Sequence, residues 1–350
     1  MITYDTGRMG LSFILRCEGS VFPKAILMAL PNAVLAVLLH TNLHQSQGLD
    51  GLMNMTGVDW LWAGYTSMLS FLIVFRNNQA YTRFWEGATL IHQVRGEWFS
   101  AVSTLFAFCN RTEEFERPVK TFTNTLVRLT SMLYCSALQQ VADVDDDRFE
   151  IIESRGMSAE SLKFMQDSTD RVEVLMQWIQ RLVVEAHAEG TIDIASPLLA
   201  RAFQEFAQGI VTLNNAHKIK EIPFPFPYSQ MITCMLLIHW AATPFITSQL
   251  VGSAAAAGFM CFLVTSVLWS QVYITMEIDQ PFGEDANDLP LYDMQKDFNK
   301  SLLNLMHPDA QAVPTFSYDP PADDGCGSPP PPQSHSKDSN ESFGGQVTAG

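Results

Sequence analysis

The sequence predicts an all-α membrane protein with four transmembrane helices and a block of amphipathic helices outside the bilayer. Charge placement supplies two of the three reasons. Between residues 25 and 75 the only charged side chains are Asp50 and Asp59, and between residues 222 and 276 there are none, in a chain that is 17% charged overall. Each stretch is long enough for two crossings of about 20 apolar residues. The third reason is the 3.6-residue period kept between residues 77 and 221 by Phe99, Val102, Leu105 and Phe106, by Leu126, Leu129, Met132 and Leu133, and by Val172, Leu175, Met176, Ile179 and Leu182. No alternating run suggests a sheet.

Residues 1–20 form an N-terminal segment of mixed charge, with Arg8 and Arg16 beside Asp5 and Glu18. The apolar run after it begins late and no small-x-small cleavage site follows, so residues 21–40 are a first span rather than a signal peptide. Pro31 predicts a kink within it. Residues 41–58 hold Gly48, Asp50, Gly51 and Asn54 but no Lys or Arg, and predict a loop. Residues 59–75 are the second span, so that residues 21–75 carry the first pair. Residues 76–221 form the helical block. In it, acidic residues 143–147 and Gly-containing residues 154–158 predict an exposed connection, and Ser196 before Pro197 predicts a capped helix start.

Pro223, Pro225 and Pro227 make a rigid return toward the membrane, and residues 222–276 carry the second pair of spans, 228–247 and 254–276. The linking residues 248–253 are too few for anything but a turn, and Gly252, Ala257 and Gly258 are small enough for close helix approach. Residues 277–306 are a turn and an amphipathic arm, with Leu291, Met294, Phe298, Leu302 and Leu305 on one face. Residues 307–350, rich in Pro, Ser and Asp, predict a disordered tail.

The loops at 41–58 and 248–253 lack cations, whereas Lys24, Arg76, Arg83, Lys218 and Lys220 lie near the other span ends. Both termini and the helical block therefore belong on the cytoplasmic or stromal side. The net charge of −16 is mostly a property of the C-terminal part, where 13 acids face 3 bases from Glu277 onward. No basic patch with interleaved aromatics supports nucleic-acid binding. The six cysteines include no CxxC pair, and no Walker loop, nucleophile elbow or HExxH is present. Glu185, His187 and Glu189 lack the spacing of a di-iron bundle. His239, in the third span, fits a hydrogen-bonded packing residue better than a proton relay.

The most informative stretch is residues 67–87, SMLSFLIVFRNNQAYTRFWEG, in which a helix leaves the membrane without stopping. At 100° per residue, Ser67, Phe71, Val74, Phe75 and Asn78 share one stripe, with Arg76 and Arg83 on the opposite side. Such a stripe either packs as helix–helix core or faces a shared, partly wet axis. Trp60, Trp62, Trp85 and Trp98 fit interfacial anchoring or packing.

Four stretches together resemble the bestrophin family of anion channels: RCEGSV at 16–21, SFLIVFRNNQAYTRFWEG at 70–87, IPFPFPY at 222–228 and DQPFGEDANDL at 279–289. The second and fourth are the specific ones, and their wording is similar to the bacterial, algal and plant branch, which includes the thylakoid voltage-dependent chloride channels. The resemblance implies a homopentamer whose second spans surround a central pore with a hydrophobic neck. Phe71 and Phe75 then occupy neck positions with Val74 beside them. Ser67 stands where a branched apolar residue is usual, which gives a wider, wetter ring. A lower constriction falls at Leu198.

Arg76 and Arg83 are assigned to lipid headgroups or to carboxylates of the block, and Asn77, Asn78 and the free N–H groups near Ser196 to anion contacts. Glu284, Asp285 and Asp288 resemble the calcium clasp of animal bestrophins, interrupted by Ala286 and Asn287 and with Gln280 in place of an Asn. No cofactor is required, and calcium is a candidate ligand. The expected function is a passive channel for chloride, with bicarbonate and nitrate as further candidates, and the expected partners are small anions, membrane lipids and further copies of the chain. The plasma membrane is the expected location and the thylakoid membrane the alternative. A membrane-bound helical enzyme with a metal site in its block, and a non-conducting scaffold, are the competing functions.

Overall fold

The computed structural model describes residues 16–45, 57–142, 148–152 and 156–316. The expectations for residues 1–15, the turn residues 46–56, the acidic stretch 143–147 and the tail from 317 lie outside the described residues. The described residues up to Gln311 form one compact unit.

The helices in order are α1 (Phe22–Gln45), α2 (Val58–Ala107), α3 (Glu116–Val141), α4 (Ala159–Asp167), α5 (Arg171–Ala188), α6 (Ser196–Glu221), α7 (Phe226–Leu250), α8 (Ala254–Ile278), α9 (Leu291–Leu305) and α10 (Pro308–Gln311). No strand occurs among the described residues, where the only bridge joins Cys109 and Ile192. Among the described residues, four helices are long and apolar enough to cross a membrane. α1 runs through Pro31 without interruption. It also continues past the expected boundary at residue 40, because Thr41 and Asn42 turn their side chains back onto the Leu38 carbonyl, which lets polar residues extend the helix. α2 holds 50 residues, about 75 Å at 1.5 Å per residue. A hydrocarbon core of about 30 Å takes up less than half of that.

Two different kinds of core follow from this division. In the spans, lipid tails are as apolar as the side chains, so association rests on close packing and polar contacts rather than on release of water. α1 and α8 run antiparallel, tied at one end by Lys24 Nζ and Glu277 Oε1 at 2.6 Å. Between them Ala25, Ala29, Ala36, Ala257 and Cys261 are wholly buried. A Cβ on Gly258 would lie 2.6 Å from Val37 Cγ2, so any larger residue would have to push Val37 or the helix pair aside. α7 joins this pair through polar contacts. The Trp240 indole donates to Met28 O at 3.0 Å, Asn32 donates to Trp240 O at 2.6 Å, and His40 Nδ1 lies 2.9 Å from Ser248 O.

The block has a different interior, built from large side chains of α2, α3, α5, α6 and α9. Trp98, Tyr134 and Phe298 form its aromatic centre, with Trp98 edge-on to Tyr134 at 6.2 Å and Tyr134 against Phe298 at 4.5 Å. Here hydrophobic burial does act, contributing about 1.5–3 kcal/mol per large side chain. α9 docks onto α3 through its expected apolar face and through a buried polar network. Ser131 Oγ donates to Asn299 Oδ1 at 2.7 Å, and the Gln295 amide donates to Ser131 O at 3.1 Å and Glu150 O at 3.2 Å. α2 and α6 approach closely where Trp98 sits against Gly209, and a Cβ on Gly209 would overlap the indole.

Gly209→Ala is therefore expected to destabilise the protein by at least about 2 kcal/mol, the scale of overpacking in a core that cannot shift. A thermal melt of the detergent-solubilised protein checks this, and an unchanged midpoint would contradict it.

Candidate functional site

On α2 the stripe read from the sequence lies open. Phe71 is 65% exposed, Val74 60% and Phe75 41%, and Ser67 and Asn78 are exposed at its two ends. The opposite face carries Leu69, Leu72 and Ile73, buried against Ile232, Leu236 and Leu268 of α7 and α8. The stripe is thus not core within its own chain. Its chemistry differs from the all-aliphatic face of α1 formed by Ile26, Leu27, Leu30, Val34, Leu35 and Leu38, and α7 and α8 expose further apolar side chains, among them Phe245 and Phe259. The α2 face is bounded by Ser67 and Asn78, about 16 Å apart along the helix.

The two asparagines part company. Asn78 is exposed, whereas Asn77 donates to Gln271 Oε1 of α8 at 2.8 Å. At the start of α6, Leu198 is 53% exposed while Leu199 is buried. The expected Ser196 cap is not formed. Ala195 is the N-cap, Ser196 is already helical and no side chain caps the end. Pro197 has no N–H, and the Leu198 N–H donates to Ala195 O at 2.9 Å, so this terminus offers few free donors.

His239 is held as a packing residue. Its ring stacks on Trp62 at 4.7 Å, with Thr66 Oγ1 at 3.1 Å from Nε2 and Thr243 Oγ1 at 3.1 Å from Nδ1. Thr243 already donates its hydrogen to the His239 carbonyl at 2.6 Å, so its oxygen accepts from Nδ1–H. Nε2 is then the acceptor for Thr66.

Below the stripe, the four motif stretches meet. Arg83 donates through Nη1 to Ile222 O at 2.6 Å and through Nη2 to Ile219 O at 2.7 Å, and its Nε lies 3.3 Å from Asp279 Oδ1. The carboxylate thus comes from the end of α8 rather than from the block. One turn further along α2, a Cβ on Gly87 would stand 3.0 Å from Phe282 and 3.2 Å from Pro281, so glycine admits this turn to the helix. The Asn287 amide donates to Gly19 O at 3.0 Å, with Gly19 at φ 67°. Residues from 16–21, 70–87, 222–228 and 279–289 therefore form one junction. Sequence reasoning did not single out Asp279, Gln271 or Gly19. Glu277 and Asp279, the first charges after the uncharged spans, were a usable signal.

The acidic turn is closed by Leu289 N–H to Pro281 O and Asp288 N–H to Asp285 O, both 3.0 Å. Asp288 is buried, and its Oδ2 accepts from Asp285 N–H at 2.7 Å while lying 2.6 Å from where a Gly283 Cβ would be. Burial pushes this carboxyl up to about 6, against the partial relief of the Asp285 N–H. Glu284 turns elsewhere, accepting from Arg148 at 3.3 Å and from the Tyr292 hydroxyl at 3.0 Å. Of the three acids proposed for calcium, Glu284 thus faces Arg148 and Tyr292 while Asp288 faces the Asp285 N–H. Among the described residues no three His, Cys, Asp or Glu side chains are grouped to hold a metal. His187 Nδ1 instead faces Ile192 O at 3.3 Å.

Comparison with known proteins supplies the remaining evidence. The family profile described as Bacterial/Fungal Bestrophin protein matches residues 4–304. A voltage-dependent anion channel-forming protein of Synechocystis sp. is 24% identical over 264 residues, covering 68% of this chain and 75% of that one. One from Ralstonia nicotianae is 27% identical over 242 residues, covering 68% and 74%, and one from Nostoc sp. is 24% identical over 275 residues, covering 78% and 82%. Two point variants of a bacterial bestrophin homolog from Klebsiella pneumoniae share the fold. One has a TM-score of 0.68 at 17% identity over 81% of this chain and 99% of that one, and the other 0.67 at 16% over 82% and 99%.

Two outcomes follow from the junction. Arg83→Gln is expected to cost about 2–3 kcal/mol through lost charge-assisted hydrogen bonds, with Arg83→Lys recovering only part, both read by thermal melting. Because the folded-state pKa of Asp288 lies above its ordinary 3.8, the folded form binds its proton more tightly, and this group's contribution to stability falls as pH rises from 3.8 to about 6. Asp288→Asn should flatten that dependence in melts taken from pH 4 to 8, and a parallel curve would contradict it.

Proposed function

Because the chain belongs to the bestrophin family, we propose that it is a passive anion channel in which five copies set their α2 helices around a common axis. It is a channel and not an enzyme. The observation that carries the proposal is the uncovered α2 stripe with polar ends, Ser67 and Asn78, around the apolar Phe71, Val74 and Phe75. An apolar stretch held between two polar residues on one uncovered helical stripe is what a narrow pore with wet ends requires.

In this arrangement Phe71, Val74 and Phe75 form the neck. A narrow apolar ring closes a pore by excluding water. When it widens, an anion passes the electropositive edges of the Phe rings, which partly replace its hydration. Ser67 gives the outer end a wider, wetter ring. Asn78 supplies the polar contact as the anion leaves the neck, and Asn77 serves from behind by bonding Gln271 and fixing α2 to α8. Leu198, exposed at the start of α6, forms the lower constriction of the vestibule. The helical block and both termini face the cytoplasm, and the plasma membrane is the proposed location. Chloride is the proposed cargo, with bicarbonate and nitrate admitted by the same neck. Large, weakly hydrated anions lose less on dehydration, so nitrate passes at least as readily as chloride.

Purified protein in a planar bilayer with asymmetric chloride tests the proposal. The reversal potential should follow chloride and should shift no further from the nitrate equilibrium when nitrate replaces it. Phe71→Ala with Phe75→Ala should conduct but close poorly, raising the open fraction several-fold. A double variant that gates like the parent would refute the neck, and absence of any anion current would refute the channel.

A further inference from the structure

The two arginines that follow the neck were equivalent in the sequence, and the structure separates them. Arg83 donates to two carbonyls and lies 3.3 Å from the Asp279 carboxylate, although its Nε, like that of Arg76, makes no hydrogen bond. Arg76 has no carboxylate or carbonyl partner among the described residues. Its guanidinium lies over the Phe224 ring, 5.8 Å from the centroid, and its Nε is buried without an acceptor. A half-buried, permanently charged group that keeps only a cation–π contact leaves strong, forked donors unused.

Phe224 belongs to the segment that returns the chain to the spans. That segment and the start of α7 expose Ile222, Phe226, Tyr228 and Met231, at 58%, 72%, 49% and 41%. Aromatic and aliphatic side chains left open where an uncharged span begins are the composition of a membrane interface, where they sit at headgroup depth. Stacking on Phe224 places the Arg76 guanidinium at that depth. It also stands behind the Ser67–Asn78 stripe, at 180° from Ser67, so an anion moving along the stripe does not reach it.

We propose that Arg76 and Phe224 form a binding site for the phosphodiester of an anionic phospholipid in the inner leaflet. The planar guanidinium accepts two phosphate oxygens side by side, Phe224 holds its plane, and Phe226 and Tyr228 receive the glycerol and the first acyl carbons. Because Arg76 directly follows Phe75, the bound headgroup braces the lower edge of the neck. The inference rests on α2 crossing a bilayer, but not on conduction.

The test is native mass spectrometry of the full-length protein in detergent, titrated with phosphatidylglycerol and, separately, phosphatidylcholine. The parent should retain phosphatidylglycerol in preference. Arg76→Gln should weaken that retention by about tenfold, or about 1.4 kcal/mol, Arg76→Lys and Phe224→Leu by less, and Arg201→Gln on the exposed face of α6 not at all. If Arg76→Gln does not assemble, Arg76→Lys and Phe224→Leu carry the comparison. Retention unchanged in these variants would overturn the site. So would displacement of the lipid by inorganic phosphate at comparable concentration, which would make it a site for free anions. Current plays no part in the readout, so a non-conducting protein that binds the lipid through Arg76 would sink the channel and leave this site standing.

Discussion

The Arg83 guanidinium holds the molecule together where its two environments meet. α6 ends with unsatisfied carbonyls, which carry the negative end of its dipole, and α8 ends with an acid at the same pole, where an acid is least favoured. Bringing those two helix ends together is unfavourable unless a cation stands between them. Arg83 does this with a fixed fork that bonds Ile219 O and Ile222 O while lying beside Asp279. A lysine presents a point charge and cannot match that geometry. Lys24 does the corresponding work for Glu277 at the start of α1. α2 is thereby fixed in height and rotation just below Phe75, and Gly87, one turn on, lets the Pro281–Phe282 turn lock it again.

From this junction the chain solves two packing problems by different means. Toward the spans, alanines, Gly258 and a few buried hydrogen bonds allow helices to approach where water release contributes little. Toward the block, Trp98, Tyr134, Phe206 and Phe298 fill a large interior whose burial is driven by water. α2 belongs to both, and its inward face changes with them, from Leu69, Leu72 and Ile73 to Ile91, Val94 and Trp98. A rigid helix shared by two cores transmits displacement from one to the other.

The surfaces left open divide by chemistry. The α1 face is aliphatic throughout and suits acyl chains. The α2 face alternates hydroxyl, aromatic and amide groups and suits an axis that is wet at both ends. The return segment around Phe224 is aromatic with a cation beside it and suits the level of the headgroups. Exposure alone does not distinguish these roles; the kind of side chain exposed does.

Charge spacing and the helical period in the sequence located the four spans, the block, the stripe on α2 and the α9 arm, because those features depend only on which side chains recur at 100°. The family wording at 70–87 and 279–289 was legible for the same reason. What the linear pattern lacked was partnership. It treated Arg76 and Arg83 alike, paired Asn77 with Asn78, gave Ser196 the cap that Ala195 holds, ended the first helix before Thr41 and Asn42, and left Asp279 and Gly19 unremarked. Those outcomes depend on which distant backbone ends a side chain can reach. Only the tertiary structure, by bringing two helix termini, a carboxylate and a glycine turn against one helix, decided that Arg83 meets two carbonyls and Asp279 while Arg76 meets the Phe224 ring.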